Sequence, residues 1–398
     1  MTVGRSLRIL YVSHSFPLPD QPLSNVGGMQ SVAVALHDAL RDLPGVELHS
    51  RVLETSWEQT GIRMVPYMAG LLRDLPAQVR RDEIDVVLFS SMVTASCTLL
   101  LRRRLRDAGA LTAAIPVGRD VTLPNPIYQR LVPKILRSLD LVLPISGATA
   151  SECLARGLAP EKMHIVPCGV ALEKFAVREP RKLERRALLD SLRAAGRSIP
   201  DDAILLFSVG RHQERKGFHW FAGRVMPLLP PDVIFLLGGE GPMTDTIRET
   251  AERHEVADRV HMLGRLSDDS LLACYRGADL FVMPNIPVAG DIEGFGVVML
   301  EAGASGLPVI AADLEGIRDV VTPGENGELI ASGDVAGFAD AILRFHAETG
   351  LLAAASARAA EHTASRFGWT SIAQTHLEIL RSARAGASEA AEARGRPA

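Results

Sequence analysis

Short, nearly continuous apolar runs recur along this chain every few tens of residues, and the longer stretches between them carry apolar residues at helical spacing. That alternation constrains the fold more than any other feature, because strands buried on both faces and joined by crossover helices form a parallel sheet. The first half offers runs at 7–13, 46–53, 86–90, 111–116, 139–144 and 163–167. The second offers 203–210, 233–238, 260–263, 280–284 and 308–311. Between the two sets lies a charged, Pro-flanked stretch, 178–200, so the pattern starts again rather than continuing. Two parallel α/β domains are expected, 1–178 and 179–365, and 398 residues suffice for two such cores. A final helix near 369–382 follows, and the Ala-, Gly-, Glu- and Arg-rich tail from about residue 383 reads as disordered.

Composition narrows the function classes. Hydrophobic residues make up 47% and charged residues 23%, near the average for a soluble globular chain. The uncharged run 86–101 holds several Ser and Thr and falls short of the roughly 18–20 apolar residues a spanning helix needs. The apolar stretch after Arg5 and Arg8 ends at Ser13, too early for a secretion signal, so a cytoplasmic protein is expected. The four cysteines, Cys97, Cys153, Cys168 and Cys274, show neither zinc-ligand nor disulfide spacing and read as reduced core residues. Residues 1–178 hold 20 Lys and Arg against 16 Asp and Glu, and the remainder 23 against 31. The excess of cations in the first half hints at an anionic partner there. Nothing points to nucleic acid.

The most informative segment is Asp291-Ile292-Glu293-Gly294-Phe295-Gly296, running through Glu301 into the strand-like 308–311. Two carboxylates eight positions apart flank a Gly-x-Gly turn, and a helix starting near Gly296 would aim free N–H groups and a positive dipole end at an anion such as phosphate. Glu301, in the second turn, leans back toward that ligand and suits the vicinal hydroxyls of a ribose. A second signal follows the run 203–210: Arg211, Arg215 and Lys216 ahead of Gly217. Fixed cations there would stabilise a diphosphate leaving group as a metal ion would, Arg211 and Lys216 being the stronger candidates. No Asp-x-Asp occurs, so neither a metal nor a cofactor is called for. No Gly-x-Gly-x-x-Gly follows a strand-like run, which disfavours hydride transfer.

Four blocks in the second half, Val209-Gly210-Arg211 with Lys216-Gly217, Gly238-Gly239-Glu240-Gly241-Pro242, Leu263-Gly264-Arg265-Leu266 and Glu293 through Glu301, resemble in order and spacing those of the retaining GT-B glycosyltransferases of family 4. Gly27-Gly28-Met29 and the segments 144–149 and 166–170 extend the resemblance over nearly the whole chain. It implies two Rossmann-like domains facing across a cleft, with the last helix (366–398 with its tail) returning to the first domain. It implies a metal-independent hexosyltransferase that retains anomeric configuration, in which Arg211 and Lys216 hold the donor diphosphate, Glu301 the ribose and Glu293 the transferred sugar. Gly294, Phe295 and Gly296 would contact sugar and phosphate through main-chain amides. Gly264, Arg265 and Leu266 would lie at the base, and Gly27 and Gly28 would close over the phosphates. The implied partners are a nucleotide diphosphate sugar and a glycan, lipid-linked or small-molecule acceptor.

One departure stands out: where the family carries a histidine ahead of Gly-x-Asp, this chain has Val117 before Gly118-Arg119-Asp120. Arg119 and Asp120 thus become second-tier candidates for sugar or acceptor, with His14 on the loop after the first run. A silent nucleotide-sugar binder and a GT-B-like sugar-nucleotide epimerase are the rival readings. The segment Leu99-Leu100-Leu101-Arg102-Arg103-Arg104-Leu105-Arg106 is a basic, leucine-rich helical patch, a candidate for peripheral contact with the inner face of a membrane.

Overall fold

A computed structural model describes residues 5–18, 28–56 and 59–395. The chain divides into two compact units, Met1–Gly169 with Trp369–Ala398, and Val170–Gly368.

The first unit is built on β1 (Leu7–Phe16), β2 (Val46–Glu54), β3 (Val86–Phe89), β4 (Leu111–Ala114) and β5 (Leu141–Val142), all parallel in the order β2-β1-β3-β4-β5. β3 is buried throughout, as its unbroken Val-Val-Leu-Phe requires. Its core packs Leu10, Val12, Val87 and Phe89 against Leu71, Leu75, Val132 and Ile135 of the flanking helices. The run 163–167 contributes only an isolated bridge from Met163 to Val142, and β5 is two residues long, so the expected sixth strand does not form. Pro144 and Pro167 sit in these runs and donate no ladder hydrogen bond.

The second unit carries β6 (Ile204–Val209), β7 (Val233–Gly238), β8 (Val260–Gly264), β9 (Leu280–Met283), β10 (Val309–Asp313) and β11 (Gly327–Ala331) in the order β11-β10-β9-β6-β7-β8, again parallel. β11 was not anticipated: an edge strand reading Gly-Glu-Leu-Ile-Ala, only half-buried, lacks the apolar run that marks the others. The charged stretch expected to separate the domains holds a helix, Arg181–Ala194, belonging to this unit. Leu188, Leu189 and Leu192 are its buried face, while Arg181 and Arg185 pair with the buried Asp279, whose carboxylate also accepts the N–H of Leu205, the second residue of β6. The change of unit comes earlier, at Gly169/Val170, where Val170 takes a main-chain bond from its N–H to the Phe367 carbonyl.

Tail disorder from residue 383 is also corrected, since the last helix runs Trp369–Gly395. Its Ala-Ser-Glu-Ala-Ala-Glu-Ala-Arg segment has high intrinsic helix propensity, and Arg384 upstream donates to the Gly109 carbonyl. Among the described residues no helix is long and apolar enough to cross a membrane. All four cysteines are buried free thiols.

Candidate functional site

In each sheet one strand separates neighbours whose connections run in opposite directions: β1 between β2 and β3, and β6 between β7 and β9. Loops leaving the carboxyl ends of such strands diverge and open a crevice, the usual ligand position in open parallel sheets. Part of the sequence-derived set falls on these loops, Arg211 and Lys216 after β6 and Glu293 after β9, whereas Glu301 sits on the helix Val297–Ala304, Gly264 ends β8 and Asp120 follows β4.

In the second unit the loop after β6 contains the turn Glu214–Lys216, and Gly217 closes it at φ +66°. A Cβ there would stand 2.0 Å from the Pro284 carbonyl oxygen, so only glycine lets this turn press against the end of β9. The Ile286 N–H bonds the Arg215 carbonyl at 3.0 Å across the same contact. As a result the buried Lys216 places Nζ 2.6 Å from Oε2 of the buried Glu293. The same oxygen accepts from Asn285 Nδ2 at 3.1 Å and lies 3.8 Å from Arg215 Nη2. Arg215 Nε is 3.7 Å from Asp291. All three donors converge on Oε2, leaving Oε1 without a protein donor among the described residues. Burial by itself would raise the Glu293 pKa, but the charges of Lys216 and Arg215 outweigh it and hold the carboxyl below the usual range. Burial lowers the Lys216 pKa against the opposing pull of Glu293.

The backbone of Glu293 is gripped as well. Its N–H donates to Glu315 Oε2 and its carbonyl accepts from Gly316 at 3.1 Å. Glu315 holds a left-handed φ of +47°, a conformation a non-glycine residue keeps only when its surroundings enforce it.

Beyond the loop, Gly296 caps the helix Val297–Ala304 at φ +90°, and the first N–H groups of that helix have no partners within it except the Met299 N–H, which reaches the Gly296 carbonyl. Phe295 is buried, so the core takes its side chain and only its main chain is left for a ligand. The Glu301 carboxyl is pushed up by burial, although Tyr275 donates its hydroxyl to Oε2 at 2.7 Å. Tyr275, itself fully buried, packs edge-on to Phe207 of β6 and stacks with Phe281 of β9. Arg211 is exposed, and its side chain has no hydrogen-bond or ion-pair partner among the described residues. Gly264 closes β8 and accepts the Gly239 N–H at 2.7 Å, Arg265 makes an exposed ion pair with Glu240, and Leu266 packs over Gly238.

In the first unit His14 lies within β1, near its carboxyl end, rather than on the loop expected after it, because the strand runs on to Phe16; its Nδ1 is 3.2 Å from Oγ of Ser91, which follows β3. Burial pushes its pKa down to about 4, so the ring is neutral near pH 7. Asp120 is buried, and both carboxylate oxygens are engaged: Oδ2 accepts the Met92 N–H at 2.9 Å and Oδ1 the Val117 N–H at 2.8 Å. It therefore ties the loop after β3 to the loop after β4, and the residue in the histidine place supplies one of the ties. Burial pushes the Asp120 pKa up to about 7 despite these two bonds. Gly28 opens the helix Gly28–Arg41, Gly27 lies outside the described residues, and so does the side chain of Arg119.

The structure thus brings Lys216 and Glu293 into contact, while Arg211 and Glu301 touch neither among the described residues. Sequence reasoning did not single out Asn285, Glu315, Tyr275 or His212, and it placed Arg215, which lies 3.8 Å from Glu293, behind Arg211 and Lys216. His212 is fully buried, its Nδ1 bonded to Thr244 Oγ1 at 2.9 Å. A polar residue closing an apolar run, as Asn285 does after Pro284, was the available signal.

Residues 193–362 match the family model described as glycosyl transferases group 1. The D-inositol 3-phosphate glycosyltransferase of Xylanimonas cellulosilytica is 29% identical over 421 residues, covering 95% of this chain and 97% of that protein. WcaL of Salmonella typhimurium, named as a colanic acid biosynthesis glycosyltransferase, is 28% identical over 323 residues, 78% of this chain and 74% of its own. Among solved structures, Anabaena HepE in complex with UDP and glucose aligns with a TM-score of 0.70 at 18% identity, covering 94% of this chain and 100% of that one. At that identity the likeness is one of fold, and the fold is GT-B.

Proposed function

This chain belongs to the group 1 glycosyltransferases, and from that footing we propose that it transfers a hexose-type sugar from a nucleotide diphosphate sugar to a glycan, lipid-linked or small-molecule acceptor, with retention of anomeric configuration. One observation carries the reading: a buried Lys–Glu pair at a strand-order reversal, beside the N-terminus of a helix that carries a second, half-buried glutamate eight residues on.

Each group has a chemical task in it. Lys216 and the unpaired Arg211 meet the charge that grows on the diphosphate as the glycosidic bond breaks, in place of a divalent ion. The main-chain N–H groups of Gly294, Phe295 and Gly296 approach phosphate and sugar. Glu293, kept ionised by its cations, offers Oε1 to sugar hydroxyls on the reacting face. Glu301 grips the ribose with the carboxylate oxygen that Tyr275 leaves free, and the segment Gly264–Leu266 borders the base. In the first unit, His14 and the loop positioned by Asp120 are the candidates for acceptor binding.

The test is a thermal-shift screen over UDP, GDP, ADP and TDP sugars, followed by donor turnover with the anomer of the product read by NMR. A ligand at 100 times its Kd adds about 2.7 kcal/mol of stability. Binding without transfer or release of free sugar would leave a silent nucleotide-sugar binder, and free nucleotide with an epimerised sugar would leave an epimerase. Glu301→Ala should weaken nucleotide affinity more than it lowers kcat, because a ribose contact is made in ground and transition states alike.

A further inference from the structure

Two neighbouring helices of the first unit, Thr98–Asp107 and Pro126–Ser138, are joined by a buried hydroxyl bond of 2.6 Å between Thr98 and Ser138. Between them lies a groove of about 360 Å³ whose functional lining is Leu99, Leu100, Arg102, Arg103, Lys134 and Arg137. Leu100 is 73% exposed, an unusual place for a leucine set among cations. Among the described residues none of those four cations has a carboxylate partner, whereas Arg106 on the same helix pairs with Asp140. Arg102 Nε is buried and lacks any hydrogen-bond partner. Alongside, the second helix continues the same character with exposed Ile127 and Arg130.

Like charges held together without counter-charges call for an external anion, and exposed leucines beside them call for an apolar phase. A soluble polyanion meets only the first demand. We propose that this face docks on an anionic lipid surface, with lipid phosphates in the groove against Arg102, Arg103, Lys134 and Arg137 and with Leu99 and Leu100 in the acyl boundary. Docking of this kind is peripheral and reversible, and it does not depend on the glycosyl-transfer reading.

Co-sedimentation of the full chain with phosphatidylcholine vesicles, with and without phosphatidylglycerol, tests it. Binding is expected only to the anionic vesicles at about 0.1 M salt, with release near 1 M, where the screening length falls from about 10 to about 3 Å. Arg103→Gln combined with Lys134→Gln should lower the partition coefficient about 30-fold, on the scale of surface cations near anionic lipid. Leu100→Ser should lower it about tenfold, the smaller end of the effect of removing a buried leucine. These positions are exposed, so unchanged melting temperatures are expected and separate lost binding from lost fold. Absence of binding, or equal binding to neutral vesicles, overturns the proposal. Full binding by Leu100→Ser, with vesicle binding competed away by inorganic polyphosphate, would make the groove a soluble-polyanion site and overturn it as well.

Discussion

Lys216 and Arg211 lie five positions apart on one loop, yet they face opposite energetic conditions. Lys216 is buried against Glu293, so Lys216→Ala leaves that buried carboxylate with only Asn285 and the more distant Arg215 and should cost about 3 kcal/mol of stability in chemical denaturation. Arg211→Ala should leave stability within about 0.5 kcal/mol, because that side chain is exposed and unpaired. Donor turnover should nonetheless fall about 10²–10³-fold in Arg211→Ala, the scale for one preorganised electrostatic contact. Wild-type turnover in that variant would place the diphosphate elsewhere. Asp120 yields a pH prediction. Its folded pKa of about 7 stands above the ordinary 3.8, so the folded state binds the proton more tightly. Its contribution to stability is fully present below about pH 4 and is lost as pH rises to about 7. The melting temperature of wild type relative to Asp120→Asn should therefore fall between pH 5 and 7 and level off above, and a difference constant across that window would remove the linkage. The Glu293–Glu301 spacing and the two cations were readable from residue types alone. The bond from Lys216 to Glu293 was not, because it joins positions 77 apart in sequence through one glycine contact.

At the scale of elements, that contact is between the turn after β6 and the end of β9. Gly217→Ala would force a left-handed alanine and drive its Cβ into the Pro284 carbonyl. A loss of about 1–3 kcal/mol or more is expected, with nucleotide-induced thermal shifts reduced beyond what the lost stability explains, since Lys216 and Glu293 would part. An unaltered nucleotide response would show that the turn is not what assembles the site. Strands with unbroken apolar runs, such as β3, β7 and β9, were legible because burial on both faces leaves little room for polar residues. The edge strand β11 was not, because its half-buried faces tolerate Glu328 and Gly327.

Over the whole molecule, the second unit is one continuous stretch, whereas the first is completed by the last helix. Ile372, Ala373, Leu377 and Leu380 of that helix are buried. Ending the chain at Gly368 should therefore strip hydrogen-exchange protection from β1–β4 while leaving β6–β11 protected. Equal loss in both units would contradict the division. Local patterning was enough to specify a doubled parallel α/β chain, its main strands and a phosphate-type loop chemistry, because apolar periodicity and glycine placement act over a few residues. Contact order settled the rest. The unit boundary at Val170, the tie from Asp120 to Met92 and the convergence on Glu293 Oε2 all join segments separated in sequence, and such contacts exist only once the chain has packed.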